Sequence, residues 1–420
     1  MIGTDRPERR ESISTETAKS QLPPRALLDT VARWIDQQIG PLADEEIFLA
    51  EAAGRVLAQG AVATRDVPEF DRAAIDGLAL RAEETAGASA YNPLRFRLVA
   101  RGSNLPLAAA MALGVGDKLP AGADGIAPLE LVEKDASGSC EVIETIAPGN
   151  GIERKASQAA RGATLLETGR RLLAQDLVLL LEAGFSRVQV TRRPRIGCFR
   201  VERSAMAPGS GLGTAAADVN APMLRALIAR DGGIMAGLRA LVRDPQAIGE
   251  ALAQSSADLV LLVGGNDSAE APASAALASR GELIARGVAI SPGETACLGR
   301  SRSGKPVVIL PVMPADCLWA YELLAGRAIR RLAGRSPRLP FRTRAMIVSR
   351  KLVSAIGVTE ILPVRCLDPV HVEPVARFEE AGLAGAARAD GFVLIPEGSE
   401  GVPAGTSVTV HFFEDTSADD

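Results

Sequence analysis

The chain has 420 residues, and its 47 Lys and Arg nearly balance its 51 Asp and Glu, which gives a formal net charge of -4. At roughly 100–200 residues per domain this length predicts two to four domains, and a hydrophobic fraction of 47% is ample for their cores. The slightly acidic balance argues against a nucleic-acid-binding protein, and no apolar run approaches the roughly 18–20 residues that cross a bilayer, so we expect neither nucleic acid nor membrane as a partner.

The first half of the chain predicts a tail, a helical region and a small β domain. Residues 1–24 are polar and lack periodicity, so we expect a mobile tail. Short segments at residues 96–101 and 140–146, separated by Gly and Pro, predict a small, mostly β domain over residues 61–144. Apolar positions at helical spacing predict helices over residues 26–40, 47–56 and 163–184. We assign these helices to a discontinuous helical or lid domain, residues 25–60 and 145–191.

In the second half, short apolar runs alternate with helical stretches. The runs are residues 195–201, 258–264, 288–290 and 307–311, and the helical stretches are residues 221–230, 245–255, 271–280 and 315–332. Such alternation predicts a parallel sheet with helices on both faces, an α/β domain over residues 192–334. From residue 337 the pattern changes to short β-type stretches, which predict a small all-β domain over residues 335–415.

Two turns between a strand and a helix are candidates for ligand binding. In open α/β sheets, ligands bind beyond the carboxyl ends of the strands, where helix N-termini present free N–H groups. One turn carries Gly264 and Gly265, and the other runs from Pro311 to Pro314. Either could also be an ordinary tight turn. The glycines of residues 209–213 match a dinucleotide-binding fingerprint poorly, and we reject that interpretation.

The cysteines and histidines narrow the possible chemistry. The five cysteines are scattered and lack a CxxC pair, which indicates reduced thiols in a cytoplasmic protein rather than a disulfide framework or a zinc site. Only two histidines are present, His371 and His411, both in the C-terminal part of the chain. This excludes most histidine-based catalysis and zinc ligation.

Residues 67–77, VPEFDRAAIDG, form a more specific sequence than a β-turn alone requires. They resemble the signature VPxFDNSAMDGYA of the molybdopterin molybdenumtransferase family, which includes MoeA and the E domain of gephyrin. Further motifs follow in the family's order along nearly the whole chain: LPAGAD at residues 119–124, RPRI at 193–196, DVN at 218–220, Asp244 at a DD pair, GG at 264–265, SPG at 291–293 and LPVMP at 310–314.

The resemblance implies an elongated homodimer of four-domain subunits. Each subunit has a three-layer α/β molybdopterin-binding domain, a mainly β subdomain, a helical or lid region and a C-terminal small β-barrel domain. The implied reaction inserts molybdate into adenylylated molybdopterin and releases AMP, with Mg²⁺ as the cofactor. The implied substrates are therefore molybdopterin or adenylylated molybdopterin and molybdate, in the cytoplasm.

Carried over motif by motif, the resemblance also implies site residues. The implied catalytic carboxylates are Asp76, Asp218 and Asp244, of which Asp76 and Asp244 would bind the metal. Asp76 could equally be a turn aspartate, and Asp244 could equally be a helix cap. The implied ligand-binding positions are Gly264, Gly265, Pro292, Gly293, Pro311 and Pro314.

Several departures from the family pattern fall where phosphate and metal would bind. A glutamate of the family becomes Ser204, and the lysines around the SPG motif become Ser291 and Glu294, while Asp267 enters the glycine turn. Like charges about 4 Å apart repel by about 1 kcal/mol in water and roughly 4 kcal/mol at an effective dielectric constant of 20. We therefore hold two hypotheses. One is a divergent transferase whose activity is impaired or altered. The other is a non-catalytic pterin-binding or scaffold protein for a molybdenum- or pterin-dependent enzyme.

Overall fold

The structure, a computed structural model, describes residues 25–134, 139–202, 219–266, 270–375 and 378–413. The expected N-terminal tail, residues 1–24, lies outside these ranges, as do Asp218, Ser204 and Asp267. Within them the chain forms three six-stranded sheets and four two-stranded pairs. No helix in the described ranges is long and apolar enough to cross a membrane.

A six-stranded sheet forms the centre of the α/β part of the chain. Its strands, in spatial order, are Ile234–Val242, Arg195–Glu202, Leu259–Val263, Pro306–Leu310, Cys297–Ser301 and Gly281–Arg286. The first four strands run parallel, and each of the last two is antiparallel to the strand before it. Every residue of Leu259–Val263 and Pro306–Leu310 is buried, which requires cover on both faces of the sheet.

Helices supply that cover. They are Asn220–Arg230, Pro245–Gln254, Pro272–Arg280 and a continuous run of Pro314–Ala320, the π-helical turn Tyr321–Ala325 and Gly326–Leu332. Because side chains alternate along a strand, neighbouring residues enter different cores. Leu261 belongs to the core that contains Leu224, whereas Leu262 belongs to the core that contains Ile248 and Leu277. The predicted three-layer architecture is confirmed.

The strand predicted at residues 288–290 does not join this sheet. Instead Ile290–Ser291 pairs in parallel with Thr359–Cys366 of the C-terminal domain. An apolar run of three residues predicts a buried strand, but it carries no information about which sheet the strand enters.

One predicted helix of the N-terminal region is wrong and another is shorter than expected. Residues 47–56 contain no α-helix: Asp44–Phe48 is a strand that pairs antiparallel with Arg187–Thr191, and the 3-10 turn Leu49–Glu51 follows it. Over so short a segment the apolar positions fit both the helical period of 3.6 residues and the strand period of 2. Pairing with a partner strand then decides which structure forms.

The helix predicted over residues 163–184 is confined to Ala174–Glu182. Its expected first turns are replaced by the strand Thr164–Leu166, which pairs with Ala61–Val62. Gly169 then adopts a φ of 84°, a left-handed conformation that a right-handed helix cannot contain.

The first helix, Leu28–Gln38, forms as predicted and packs on the α/β domain. Val31 and Ile35 are buried in that domain's larger core. Outside the core, Nε of Arg327 donates to Oδ1 of Asp36 at 2.9 Å. The helix is therefore tied to the long helical run by both apolar packing and an ion pair.

The small β domain is built around a second six-stranded sheet. Its strands, in spatial order, are Gly125–Pro128, Gly77–Leu80, Ala109–Leu113, Leu94–Val99, Ser139–Val142 and Val132–Lys134. The pair Arg72–Ala73 and Ile152–Glu153 lies beside it, and the 3-10 turns Ala82–Thr85 and Leu129–Leu131 connect its strands. The mostly β character predicted for this region is confirmed.

The C-terminal domain is a closed five-stranded barrel, as predicted. Its strands are Arg342–Val348, Thr359–Cys366, His371–Pro374, Gly391–Ile395 and Ser407–Phe412. The barrel closes because Thr359–Cys366 pairs with both His371–Pro374 and Gly391–Ile395. A further pair joins Leu352–Val353 to Gly401–Val402, and the helix Phe378–Arg388 is interrupted at Gly382.

The barrel and the α/β domain share one apolar core. Trp319 of the helical run is 1% exposed, and its ring meets the ring of Phe392 from the barrel edge-on, with 4.9 Å between the centroids. Ile361 of the barrel belongs to the same core. No layer of solvent therefore separates the two domains at this point.

A buried ionic network centred on Asp231 joins two helices of the α/β domain. Its carboxylate accepts hydrogen bonds from Arg330 at 3.0 Å, from Arg230 at 3.0 Å and from the Tyr321 hydroxyl at 3.1 Å. Arg230 also holds Glu322 through two hydrogen bonds of 2.7 Å. Burial raises the pKa of the Glu322 carboxyl, and Arg230 opposes that rise. The network fixes the end of Asn220–Arg230 against the π-helical turn.

We predict that Asp231→Asn, which keeps the size of the side chain but removes its charge, lowers the free energy of unfolding by about 3–5 kcal/mol, because buried Arg330 loses its carboxylate partner. Urea unfolding followed by circular dichroism measures the change. The control is Glu46→Gln, which breaks the exposed pair with Arg187 and should change the free energy of unfolding by less than about 1 kcal/mol. Equal effects of the two substitutions would contradict the structural role of the network.

Candidate functional site

Two turns meet beyond the carboxyl ends of the central strands. The N–H of Gly264, which follows Leu259–Val263, donates to the carbonyl oxygen of Leu310 at 2.8 Å. A Cβ placed on Gly264 would lie 3.7 Å from Cβ of Val312. The glycine turn and the 310–314 turn therefore touch along the edge of the sheet.

The glycine pair has a conformation that other residues rarely adopt. Gly264 and Gly265 have φ values of 86° and 83°. A Cβ on Gly265 would also lie 2.9 Å from Cβ of Ala273, closer than side chains approach one another. Both the backbone angle and the lack of space for a Cβ atom therefore favour glycine at these two positions.

Asn266 ties the glycine turn to a third segment. Its Nδ2 donates to the carbonyl oxygen of Thr295 at 3.3 Å and to Sγ of Cys297 at 2.8 Å, and its Oδ1 accepts from the N–H of Ser274 at 3.1 Å. Sequence reasoning gave this residue no role. The available signal was an amide side chain directly after a glycine pair, where loop backbone groups need partners.

The third segment contains Pro292 and Gly293. Gly293 has a φ of 112°, and a Cβ there would lie 3.3 Å from the carbonyl oxygen of Asp316 and 3.4 Å from Cβ of Ala320. The segment therefore lies against the helix that begins at Pro314, and proline at the first helical position fits because no hydrogen bond is lost there.

Asn220 of the DVN motif reaches the same edge. Its side chain is buried, and its Nδ2 donates to the carbonyl oxygen of Val312 at 2.9 Å. Its Oδ1 has no hydrogen-bond partner among the described residues. The structure thus brings together all six positions assigned to ligand binding: Gly264, Gly265, Pro292, Gly293, Pro311 and Pro314.

The charged side chains in the described residues of the three turns are all acidic. The described residues of the three turns (264–266, 291–295 and 310–316) include Glu294 and Asp316 but no Lys, Arg or His. Burial raises the pKa of the Asp316 carboxyl, and the nearby Glu294 raises it further. Each carboxylate therefore disfavours a second anion at the same place.

Two of the three carboxylates assigned to catalysis, Asp76 and Asp244, lie within the described ranges and outside the three turns. In the small β domain, Oδ1 of exposed Asp76 accepts from the N–H of Val115 at 2.8 Å. Asp244 caps the helix Pro245–Gln254 by accepting from the N–H of Ala247 at 2.8 Å. It lies at the same edge of the sheet as the turns, two strands away from Leu259–Val263.

Neither aspartate belongs to a metal-binding cluster within the described residues. No group of three or more His, Cys, Asp or Glu side chains in these ranges is arranged to hold a metal ion. Asp76 and Asp244 each use an oxygen to hold a backbone N–H, which is the turn and cap role that the sequence also allowed. Because Mg²⁺ in proteins is commonly held by only one or two carboxylates together with substrate phosphates, the metal stays a prediction.

Comparison with known proteins identifies the architecture. The model of the MoeA N-terminal region (domain I and II) matches residues 24–184, and that of the MoeA C-terminal region (domain IV) matches residues 345–413. Together the two matches include more than half of the chain, and they flank the α/β domain.

Curated relatives match almost end to end. A putative molybdopterin biosynthesis protein of Methanocaldococcus jannaschii is 27% identical over 385 residues, which include 88% of this chain and 92% of the relative. Molybdopterin molybdenumtransferase 2 of Mycobacterium tuberculosis is 27% identical over 384 residues, with 86% and 93% covered.

The molybdopterin biosynthesis MoeA protein of Pyrococcus horikoshii has a crystal structure that superimposes with a TM-score of 0.71. It is 27% identical, and the superposition includes 93% of this chain and 100% of that one. The colinear motifs, the two matched regions and this superposition agree with one another, and the chain belongs to the molybdopterin molybdenumtransferase, or MoeA, family.

Proposed function

We propose that the chain acts in molybdenum cofactor biosynthesis as a divergent molybdopterin molybdenumtransferase, with activity that is weaker than, or altered from, the insertion of molybdate into adenylylated molybdopterin. The ligand binds where the three turns meet at the carboxyl edge of the α/β sheet. The single observation that carries the altered activity is the presence of Glu294 and Asp316 at this edge without a cation in the described turns.

The shape of the edge supports binding of a phosphate-bearing ligand. The Gly264–Gly265 turn lies at the carboxyl edge of an open α/β sheet, where such sheets bind ligands, and its glycines let it pack closely against Val201 and Ala273. Asn220 donates from its Nδ2 to the carbonyl oxygen of Val312 and so fixes the 310–314 turn at this edge. The three turns are thus held in place by packing and hydrogen bonding, and the described part of the edge supplies no cation within them.

The charge of the edge opposes the phosphates of that ligand. One carboxylate about 4 Å from a phosphate charge costs roughly 4 kcal/mol at an effective dielectric constant of 20. A penalty of that size corresponds to nearly three tenfold steps in affinity. Binding therefore weakens unless the carboxylates are neutralised, and transfer weakens with it.

We also propose a cytoplasmic homodimer as the working form. The small β domain that carries Asp76 has its own sheet, and the described hydrogen bond of Asp76 stays within that domain. A second copy would allow Asp76 of one chain to face the α/β edge of the other, which is the arrangement that the family resemblance implies. Mg²⁺ would then depend on residues from both copies.

We predict weak, magnesium-dependent binding of adenylylated molybdopterin, because a divalent cation offsets the carboxylates. Calorimetric titration with and without Mg²⁺ and molybdate measures affinity, and chromatography measures released AMP. Micromolar binding followed by AMP release would contradict the proposal that the transferase activity is weakened or altered. Absence of binding at millimolar ligand would favour the second hypothesis, a scaffold protein. The carboxylates of Glu294 and Asp316 would then exclude the substrate.

We predict that Glu294→Lys, alone and combined with Asp267→Ser, improves the affinity for adenylylated molybdopterin by about tenfold or more, since a repulsive charge becomes an attractive one. The matched control is Glu400→Lys, the same reversal at an exposed position of the barrel domain, which should leave the affinity unchanged. Unchanged affinity in the Glu294→Lys variant would remove the electrostatic argument.

A further inference from the structure

A cavity of about 410 Å³ lies at the opposite, amino-terminal edge of the α/β sheet. Arg193 lies just before the strand Arg195–Glu202, and Gly232 lies just before Ile234–Val242, so both mark the amino ends of parallel strands. The volume falls within the roughly 300–1,000 Å³ typical of small-molecule sites. The cavity is therefore separate from the three turns.

The wall of the cavity is strongly basic. Four arginines line it against a single glutamate: Arg55, Arg171, Arg193, Arg335 and Glu51. One of them, Arg55, already pairs with Glu45 and donates to the carbonyl oxygen of Thr191 at 3.0 Å. Glu51 makes no ion pair within the described ranges and is exposed. The excess positive charge therefore resides on the three remaining arginines.

Arg335 is held rigidly at the inner side of the cavity. Its Nη1 donates to the carbonyl oxygen of Arg230 at 2.6 Å, and its Nη2 donates to that of Gly54 at 2.9 Å. Gly232, with a φ of 96°, makes room for it, since a Cβ there would lie 2.8 Å from Nε of Arg335. A guanidinium fixed in advance loses little freedom when it binds an anion.

The positive charges also crowd one another. Burial, and then the charges of Arg171 and Arg193, lower the pKa of Arg335 to about 10. Asp231 opposes this fall, but its carboxylate is already engaged by Arg230 and Arg330. An anion in the cavity would relieve the repulsion.

The other two arginines keep donors for a ligand. Arg193 reaches the carbonyl oxygens of Gly232 and Gly233 only at 3.5 and 3.4 Å, the outer limit of hydrogen bonding. The side chain of Arg171 makes no hydrogen bond or ion pair with any described residue, and it is exposed at the mouth of the cavity. Their donors and those of Arg335 come from three separate segments of the chain.

We propose that this cavity binds a small polyvalent oxyanion, bearing phosphate or carboxylate groups, through Arg171, Arg193 and Arg335. Guanidinium forks match the oxygen pairs of both groups. The segments that form the wall come from the N-terminal region, from the α/β domain and from the start of the C-terminal domain. The bound anion therefore stabilises the junction of these parts, and this role is independent of the function proposed for the three turns.

The test is thermal unfolding of the full chain with pyrophosphate or citrate, at constant ionic strength set with sodium chloride. We expect a saturable rise in Tm with at least one of them, and the stronger one identifies phosphate or carboxylate as the preferred group. Arg171→Gln and Arg193→Gln should each weaken the affinity about tenfold or more, because each removes charged hydrogen bonds. Neither side chain has a close hydrogen bond to the fold, so both variants should stay folded.

The matched control is Arg350→Gln, which removes the same charge from an exposed position of the barrel domain and should bind as the unaltered chain does. Glu294→Lys should also leave pyrophosphate binding at this cavity unchanged. Equal affinity of the Arg171→Gln and Arg193→Gln variants and the unaltered chain, or no saturation at millimolar anion, would overturn the proposal. A third result would also overturn the proposal: the two arginine variants change the oligomeric state, and the anions have no effect on Tm. That result would indicate that an acidic segment of a second copy fills the cavity.

Discussion

The register between two wholly apolar strands determines where the site can form. Val263 pairs with Leu310, so Leu259–Val263 and Pro306–Leu310 end at the same level of the sheet. That shared level lets the N–H of Gly264 reach the carbonyl oxygen of Leu310. A slip of one residue would turn each strand over and would move apolar side chains between the two cores. The burial of both strands thus holds the turns in place.

The sequence predicted the architecture correctly where its apolar patterns extended over long segments. The alternation of apolar runs and helical stretches predicted a sheet with helices on both faces, and the later β-type stretches predicted an all-β C-terminal domain, which the family resemblance identified as a barrel. It was insufficient where a segment was short. Asp44–Phe48 and Ile290–Ser291 owe their conformations to partner strands that are distant in the chain, which periodicity within one segment does not reveal.

The same dependence on local pattern explains which residues of the candidate site the sequence predicted and which it missed. Motifs located the glycine pair and the proline turn, because each follows its strand directly. The role of Asn266 depends on Thr295 and Ser274, and the basic cavity depends on contacts such as that of Arg335 with Gly54. Those contacts exist only after folding. The described residues of the three turns thus carry acidic side chains, whereas the charged residues that line the cavity at the amino ends of the strands are mainly arginines.

The contact between Trp319 and Phe392 bears on how the protein loses its structure. The boundary drawn at residue 335 separates two architectures, but the larger apolar core continues across it. Unfolding the barrel alone would expose Trp319 to water, and unfolding the α/β domain alone would expose Phe392. Independent domains unfold in separate transitions, whereas a shared core couples them. We therefore expect the α/β domain and the barrel to unfold as one cooperative unit, whose thermal stability is a property of the pair rather than of either domain.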